Sequence, residues 1–300
     1  MTVYDCFPFF NENDLLELRI NQHWNFVDKF IITEAGQTHT GHKKDFNFDH
    51  KRFEKYQSKI VYRKINNFIE EINTYPHLLD SYSVHDRSQN GQYTDDWVRD
   101  HFQGNYPVQV LTEQGATSND IVYISSLDEI ITEDAFNLAM IKFEDDQVYP
   151  LISGVTNKVV NHTRPAFGFV LDLYVYKFNF YSSKIPVAMI TEFNVLQKML
   201  PSTMRAWALH THDSIENAGW HFSWLDNTGG EKVLLKQKSW AHSRDILPNQ
   251  QVKYTHTSIT EALDRLFKDY EIVKVNISKE THPEYLINNL DIYDKYIDKE

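Results

Sequence analysis

The chain has 300 residues, 41% apolar and 24% charged, which is the balance of a globular protein long enough to bury a substantial core. Ten Gly and nine Pro exclude collagen-like and linker-rich chains, while an aromatic share of 14% supplies rings for a core and for stacking surfaces in a cleft. Thirty Lys and Arg against 42 Asp and Glu leave a net charge of −12, which argues against nucleic-acid partners, because their affinity comes largely from Lys and Arg on phosphate.

In chain order, residues 3–10 (VYDCFPFF) read as a short apolar strand. Asn13 or Asp14 then caps a helix with Leu15, Leu16, Leu18 and Trp24 roughly on one face. Strands are expected at 28–35 and 59–65, separated by a polar loop at 36–45. The helix predicted over 94–114 contains Pro107, which should break or kink it. A buried strand at 121–124 precedes a helix running from Thr132 or Glu133 to Phe143. Residues 167–180 (FGFVLDLYVYKFNF) read as one long strand and 219–224 as a short one. Helices follow at 231–240 and 258–270, the second capped by Thr257 or Ser258 with Glu261 completing a capping box. Strands alternating with helices in the first half predict an α/β sheet with parallel strands. The single Cys6 cannot form an internal disulfide. No run reaches the ~18 apolar residues of a membrane span, and no basic leader is seen. A cytoplasmic protein without a transmembrane segment is expected.

The segment 120–130 (DIVYISSLDEI) carries the most chemistry: an apolar strand runs straight into Ser125, Ser126, Asp128 and Glu129. Open α/β sheets bind ligands beyond the carboxyl ends of their strands. Carboxylates there suit a divalent cation that neutralises a diphosphate leaving group. On a continuing extended path, Ser126 and Asp128 share a face and Glu129 points the other way. An isolated Asp-Glu pair more often begins a turn. Arg99 and Gln103, four residues apart, share a helix face; for Arg99 the competing role is an ion pair with Asp95, Asp96 or Asp100. His39, Lys43 and Lys44 belong to a solvated loop, or to a lid.

Five segments in order resemble glycosyltransferase family 17, the family of the bisecting N-acetylglucosaminyltransferases. They are YDCFPFFNENDLLELRIN (4–21), TEAGQTHTG (33–41), WVRDHFQGN (97–105), YISSLDEI (123–130) and NAGWHFS (217–223). All fall within residues 3–245; residues 246–300 carry no such segment and are expected to form a C-terminal helical extension. The resemblance implies an α/β protein with the GT-A type nucleotide-diphospho-sugar transferase fold, a mixed central sheet flanked by helices. Residues 1–245 would form that domain, the donor-binding part at about 1–130 and the acceptor-binding part at about 131–245. It further implies an inverting transfer, usually of N-acetylglucosamine, from a UDP-sugar with Mn²⁺ or Mg²⁺. The acceptor is a glycan, a lipid-linked sugar or a protein.

Under this resemblance Asp128 and His221 are metal ligands, with Ser126 acting directly or through water; Mn²⁺ tolerates imidazole. Asp5 and Glu34 hydrogen-bond uracil or ribose, Arg99, Gln103 and Asn105 reach the donor from their helix, and Trp220 stacks on a sugar or base. Glu129 or Asp172 takes the proton of the acceptor hydroxyl, with Asp213 and Asp226 as further candidates. The bland alternatives are a structural role for Asp5, core packing for Trp220 and a satisfied core histidine at 221. Three departures stand out. Ser126 replaces the first Asp of the family's Asp-x-Asp-Glu motif, Gly104 replaces a usual Arg, and Asp100 a usual Glu. The first two leave open metal-independent transfer, and also a degenerate transferase fold that binds glycan or nucleotide without turnover.

Overall fold

Short apolar runs build the first half. In the computed structural model, which describes residues 1–79, 95–144, 149–152, 159–162, 166–208, 214–245 and 256–299, strand β1 (Val3–Phe9) sends Val3, Phe7 and Phe9 to one face and Tyr4 and Cys6 to the other. Strand β2 (Lys29–Ala35) does the same with Phe30 and Ile32 against Ile31 and Ala35. Both faces are buried, as expected of parallel strands covered by helices. β1 pairs in parallel with β2 and with β4 (Ile121–Ile124), and β2 pairs in parallel with β3 (Ile60–Ile65). From β1 the chain first builds outward on one side and then returns to the other. A crevice therefore opens at the carboxyl ends of β1 and β4.

Helix α1 (Asn13–His23) follows β1 and is buried on nearly every side, Glu17, Arg19 and His23 included. The expected single apolar face is too narrow because the C-terminal segment covers the side that the sheet does not: Leu15 and Leu18 pack with Leu286, Tyr293 and Tyr296. After the short α2 (Phe68–Thr74) comes α3 (Asp95–Glu113), which runs through Pro107 without a break. A helix-interior Pro costs about 3 kcal/mol. Phe102, Tyr106, Val110 and Leu111 on the same helix are buried against the sheet, each worth roughly 1.5–3 kcal/mol, and packing wins.

The second half turns the sheet mixed. Strand β5 (Glu129–Ile131) and helix α4 (Glu133–Phe143) follow β4, and β6 (Tyr149–Ile152) and β7 (Val159–His162) form a separate antiparallel ribbon. Residues 167–180 do not form one strand. β8 (Phe167–Val175) ends where Tyr176 adopts a left-handed backbone (φ 71°), and the chain reverses into β9 (Phe180–Glu192), antiparallel to β8 and to β4. Helices α5 (Phe193–Leu196) and α6 (Pro201–Ala208) lead to β10 (Ser214–Ile215) and β11 (Gly219–Ser223). The strand order is β3-β2-β1-β4-β9-β8-β11-β5, with β10 beside β8. The sheet curls, so that β5 at its far edge comes back to β4: Tyr123 Oη donates to the Glu129 carbonyl at 3.0 Å.

Helix α7 (Glu231–Ser239) precedes α8 (Ile259–Asp269), whose start carries the expected Ser258–Glu261 capping box. Strand β12 (Val273–Lys274) joins the edge of β9, and α9 (Glu284–Asn288) and α10 (Leu290–Tyr293) close the fold. The C-terminal segment is thus strand as well as helix. No helix among the described residues is long and apolar enough to cross a membrane.

Candidate active site

A cleft of about 840 Å³ opens at the carboxyl ends of β1 and β4. Its floor is held from beneath by Arg19, fully buried on α1. The guanidinium grips Asp5 through Nε (3.0 Å) and Nη2 (2.5 Å), and Nη2 also reaches Ser125 Oγ at 2.5 Å. Nη1 donates to the carbonyls of Ser126 (2.7 Å), Leu127 (3.0 Å) and Glu129 (2.8 Å). His23 Nδ1 shares Asp5 Oδ2 at 2.8 Å, while its Nε2 accepts the Ile131 N–H at 3.1 Å. Burial opposes charge on Asp5, but Arg19 and His23 outweigh it and hold the carboxyl below its ordinary range. Asp5 does not line the cleft. Instead of meeting uracil or ribose, it anchors the cation that shapes the turn at 125–129.

That turn gathers the acidic groups. The chain does not stay extended after β4, so Ser126, Asp128 and Glu129 all line the cleft together, and the opposite-face expectation fails. β11 brings His221 beside Glu129, its register partner across the antiparallel β5. The approach depends on Gly219, where φ is 149° and a Cβ would lie 2.1 Å from the Ile130 carbonyl oxygen. His221 Nε2 stands 3.5 Å from Asp128 Oδ1, and Lys236 Nζ from α7 stands 3.4 Å from Oδ2. Arg205 from α6 binds Glu129 Oε1 at 2.6 Å and donates to Ser126 Oγ at 3.0 Å; the Ser126 N–H donates to Glu129 Oε2 at 2.8 Å. Burial disfavours charge on Asp128, yet Lys236 and His221 hold its carboxyl well below the usual range. Lys236 also lies over the ring of Trp224, 5.2 Å from its centroid, and Trp224 has a left-handed backbone (φ 58°).

The sequence profile of glycosyltransferase family 17 matches residues 1–294. The chain belongs to this family. The match runs past residue 245 and takes in the C-terminal segment, and no curated protein matches the chain. Membership implies a glycosyltransferase working between a sugar donor and a glycan acceptor. Asp128, Glu129 and His221 each offer a donor atom, all within 4.8 Å of one another. The buried His221 Nδ1 has no hydrogen-bond partner. Two carboxylate oxygens and one imidazole nitrogen fit a single Mn²⁺ better than Mg²⁺, which favours oxygen.

The other residues expected at the family 17 site separate into two groups. Gln103 lines the cleft, its Nε2 donating to the Thr33 carbonyl at 3.1 Å and its Oε1 lying 3.0 Å from His39 Nε2. Glu34, Arg99, Asn105, Trp220 and Asp172 do not line it. Glu34 is fully buried and accepts from Lys44 Nζ (2.7 Å), the N–H of Asn47 (2.6 Å) and Phe48 (3.2 Å), and Tyr62 Oη (2.7 Å), which fastens the loop after β2. Arg99 pairs with Asp95 and Asp96 and donates to the His39 carbonyl at 2.8 Å. Asn105 bonds the Leu78 carbonyl and Ser202 inside the core. Trp220 packs under the C-terminal segment, its Nε1 donating to the Thr281 carbonyl at 2.8 Å. Asp172 sits on β8 with burial raising its pKa and Lys184 its neighbour. Asp226 accepts the N–H groups of Thr228, Lys232 and Val233 at the start of α7, and Asp213 lies outside the described residues. Arg205 and Lys236 escape sequence reading, because a lone cation on a helix has no motif and its carboxylate partner is more than 70 residues away.

Proposed function

We propose that the protein is an inverting, UDP-sugar-dependent glycosyltransferase of the GT-A type, with N-acetylglucosamine as the transferred sugar. The observation that carries this reading is the pair of cations, Lys236 and Arg205, facing Asp128, Glu129 and Ser126 at the switch point of the sheet. The donor diphosphate lies against the two cations, which stabilise the charge that develops as the sugar leaves. The nucleoside extends toward Phe10, Gln37 and His39, on the loops after β1 and β2. Trp240, half-buried in the lining of the same cleft, offers ring surface to a glycan, lipid-linked sugar or protein-bound acceptor. Mn²⁺, held by Asp128, Glu129 and His221, supplies further positive charge to the diphosphate when bound. The one cysteine, Cys6, is buried and suits a reducing cytoplasm.

A panel of nucleotide sugars, assayed for hydrolysis and transfer with and without Mn²⁺, tests the proposal. UDP-N-acetylglucosamine turnover is expected, and Asp128→Ala should abolish it. Failure of calorimetry to detect any nucleotide at any divalent metal would remove the reading. Ser126 in place of a carboxylate, and a Glu129 with both oxygens engaged, favour the second reading of a binder without turnover. Nucleotide binding with no hydrolysis across a broad acceptor panel would select it.

A further inference from the structure

An inverting transfer needs a base on the acceptor side of the sugar, and the two carboxylates expected for that task are poorly placed for it. Glu129 has one oxygen on Arg205 and the other on the Ser126 N–H, and Asp172 lies off the cleft. The cleft holds a different group. Beyond α7, a short 3₁₀ turn (Ala241–Arg244) brings His242 to the cleft lining. Its Nδ1 lies 2.5 Å from Asp245 Oδ2, and Asp245 Oδ1 accepts the indole N–H of Trp97 at 3.0 Å. With Nδ1 bound to the carboxylate, Nε2 is the nitrogen left for a ligand.

The turn is clamped from both sides. Arg244 forks onto Asp96, a fully buried carboxylate of α3, through Nε at 2.6 Å and through Nη2. The rings of Trp97 and Trp240 stand edge-on and tilted against the imidazole, with centroids 4.3 and 4.6 Å away. The side chain still keeps about a third of its surface open (35%), which a ligand-facing imidazole needs. Among the described residues, the titratable groups facing His242 are Asp245 on its own turn and Asp100 from α3; Asp100 in turn faces His39, His101 and Arg205. An imidazole aimed by a carboxylate that a third group fixes is the arrangement of a general base.

We infer that His242 is the base of the transfer proposed above, with Asp245 as its positioning residue. The inference rests on that reading of the cleft. In the step, a lone pair of the acceptor hydroxyl oxygen attacks the anomeric carbon and forms the new C–O bond. The bond from that carbon to the diphosphate oxygen breaks, and its electron pair leaves with the diphosphate onto Lys236 and Arg205. The hydroxyl proton passes to His242 Nε2, and Asp245 stabilises the imidazolium.

The test compares wild type with His242→Gln, His242→Ala and Asp245→Asn, using UDP affinity by calorimetry, kcat and KM for the acceptor, and the pH–rate profile. For His242→Gln we expect kcat to drop by roughly 10²- to 10⁴-fold, UDP affinity to be kept, and the acid limb of the profile to disappear. Added imidazole should restore part of the rate of His242→Ala. Asp245→Asn should lose less, through kcat with acceptor KM unchanged. Full transfer by His242→Gln with its acid limb intact, or no rescue by imidazole in a folded His242→Ala, overturns the assignment of the base. Loss of the whole reading is a separate result: wild type that binds no UDP.

Discussion

Arg19 shows how a single residue governs the site without touching a ligand. It joins β1, through Asp5, to the turn that follows β4, and both members of the pair are wholly buried. Removing one partner of such a pair leaves an uncompensated buried charge. Arg19→Met should therefore cost about 3–5 kcal/mol, read as a lowered urea midpoint. In the same variant the freed 125–129 turn should weaken nucleotide binding. Little of this is legible in a sequence: Asp5 lies inside β1 and Glu34 near the end of β2, and only the fold shows that Arg19 and Lys44 already hold them. Asp128 and His221 differ in what marks them out. They belong to segments that resemble the family, and the structure brings their side chains within 3.5 Å.

Local pattern predicts an element well when one force dominates it. β1, β2 and β4 follow from short apolar runs, and α8 follows from a Ser-x-x-Glu cap. Pattern fails where distant packing decides. Pro107 sits in an unbroken helix because the sheet buries its neighbours, and the reversal at Tyr176 has no Gly or Pro to announce it. Gly219 is the clearest case of an element set by close approach. Gly219→Ala would drive a methyl into the Ile130 carbonyl and force β11 off β5. A loss of at least 1–3 kcal/mol is expected from the strained backbone alone, measured by chemical denaturation. Mn²⁺ affinity should fall with it, since His221 is two residues away.

Across the whole molecule, the C-terminal segment is tied back to the first helix, and that tie is sensitive to pH. Asp14 accepts from Tyr296 Oη at 2.7 Å and pairs with Lys295 at 2.8 Å and Arg52 at 2.7 Å. Burial works against its charge, but Lys295, Tyr296 and Arg52 prevail and lower its pKa from 3.8 to about 2. A carboxyl that ionises more readily in the folded state adds stability that is complete above its unfolded pKa and fades as pH falls through the folded one. The contribution is about 2 kcal/mol, present at neutral pH and lost as pH drops from 3.8 toward 2. Asp14→Asn should lower the urea midpoint at neutral pH and make little difference near pH 2. The curled sheet, the C-terminal cover and the cleft they frame are properties of the assembled chain, and alternation along single segments carries no record of them.

The proposed activity requires the cleft between Lys236 and Arg205 to seat a sugar's diphosphate. A crystal of the protein soaked with UDP and Mn²⁺ addresses this most directly. Phosphate oxygens are expected within hydrogen-bond reach of the Lys236 ammonium and the Arg205 guanidinium, with the uracil toward Gln37 and His39. Nucleotide density elsewhere on the molecule, with both cations still closed on Asp128 and Glu129, would contradict it.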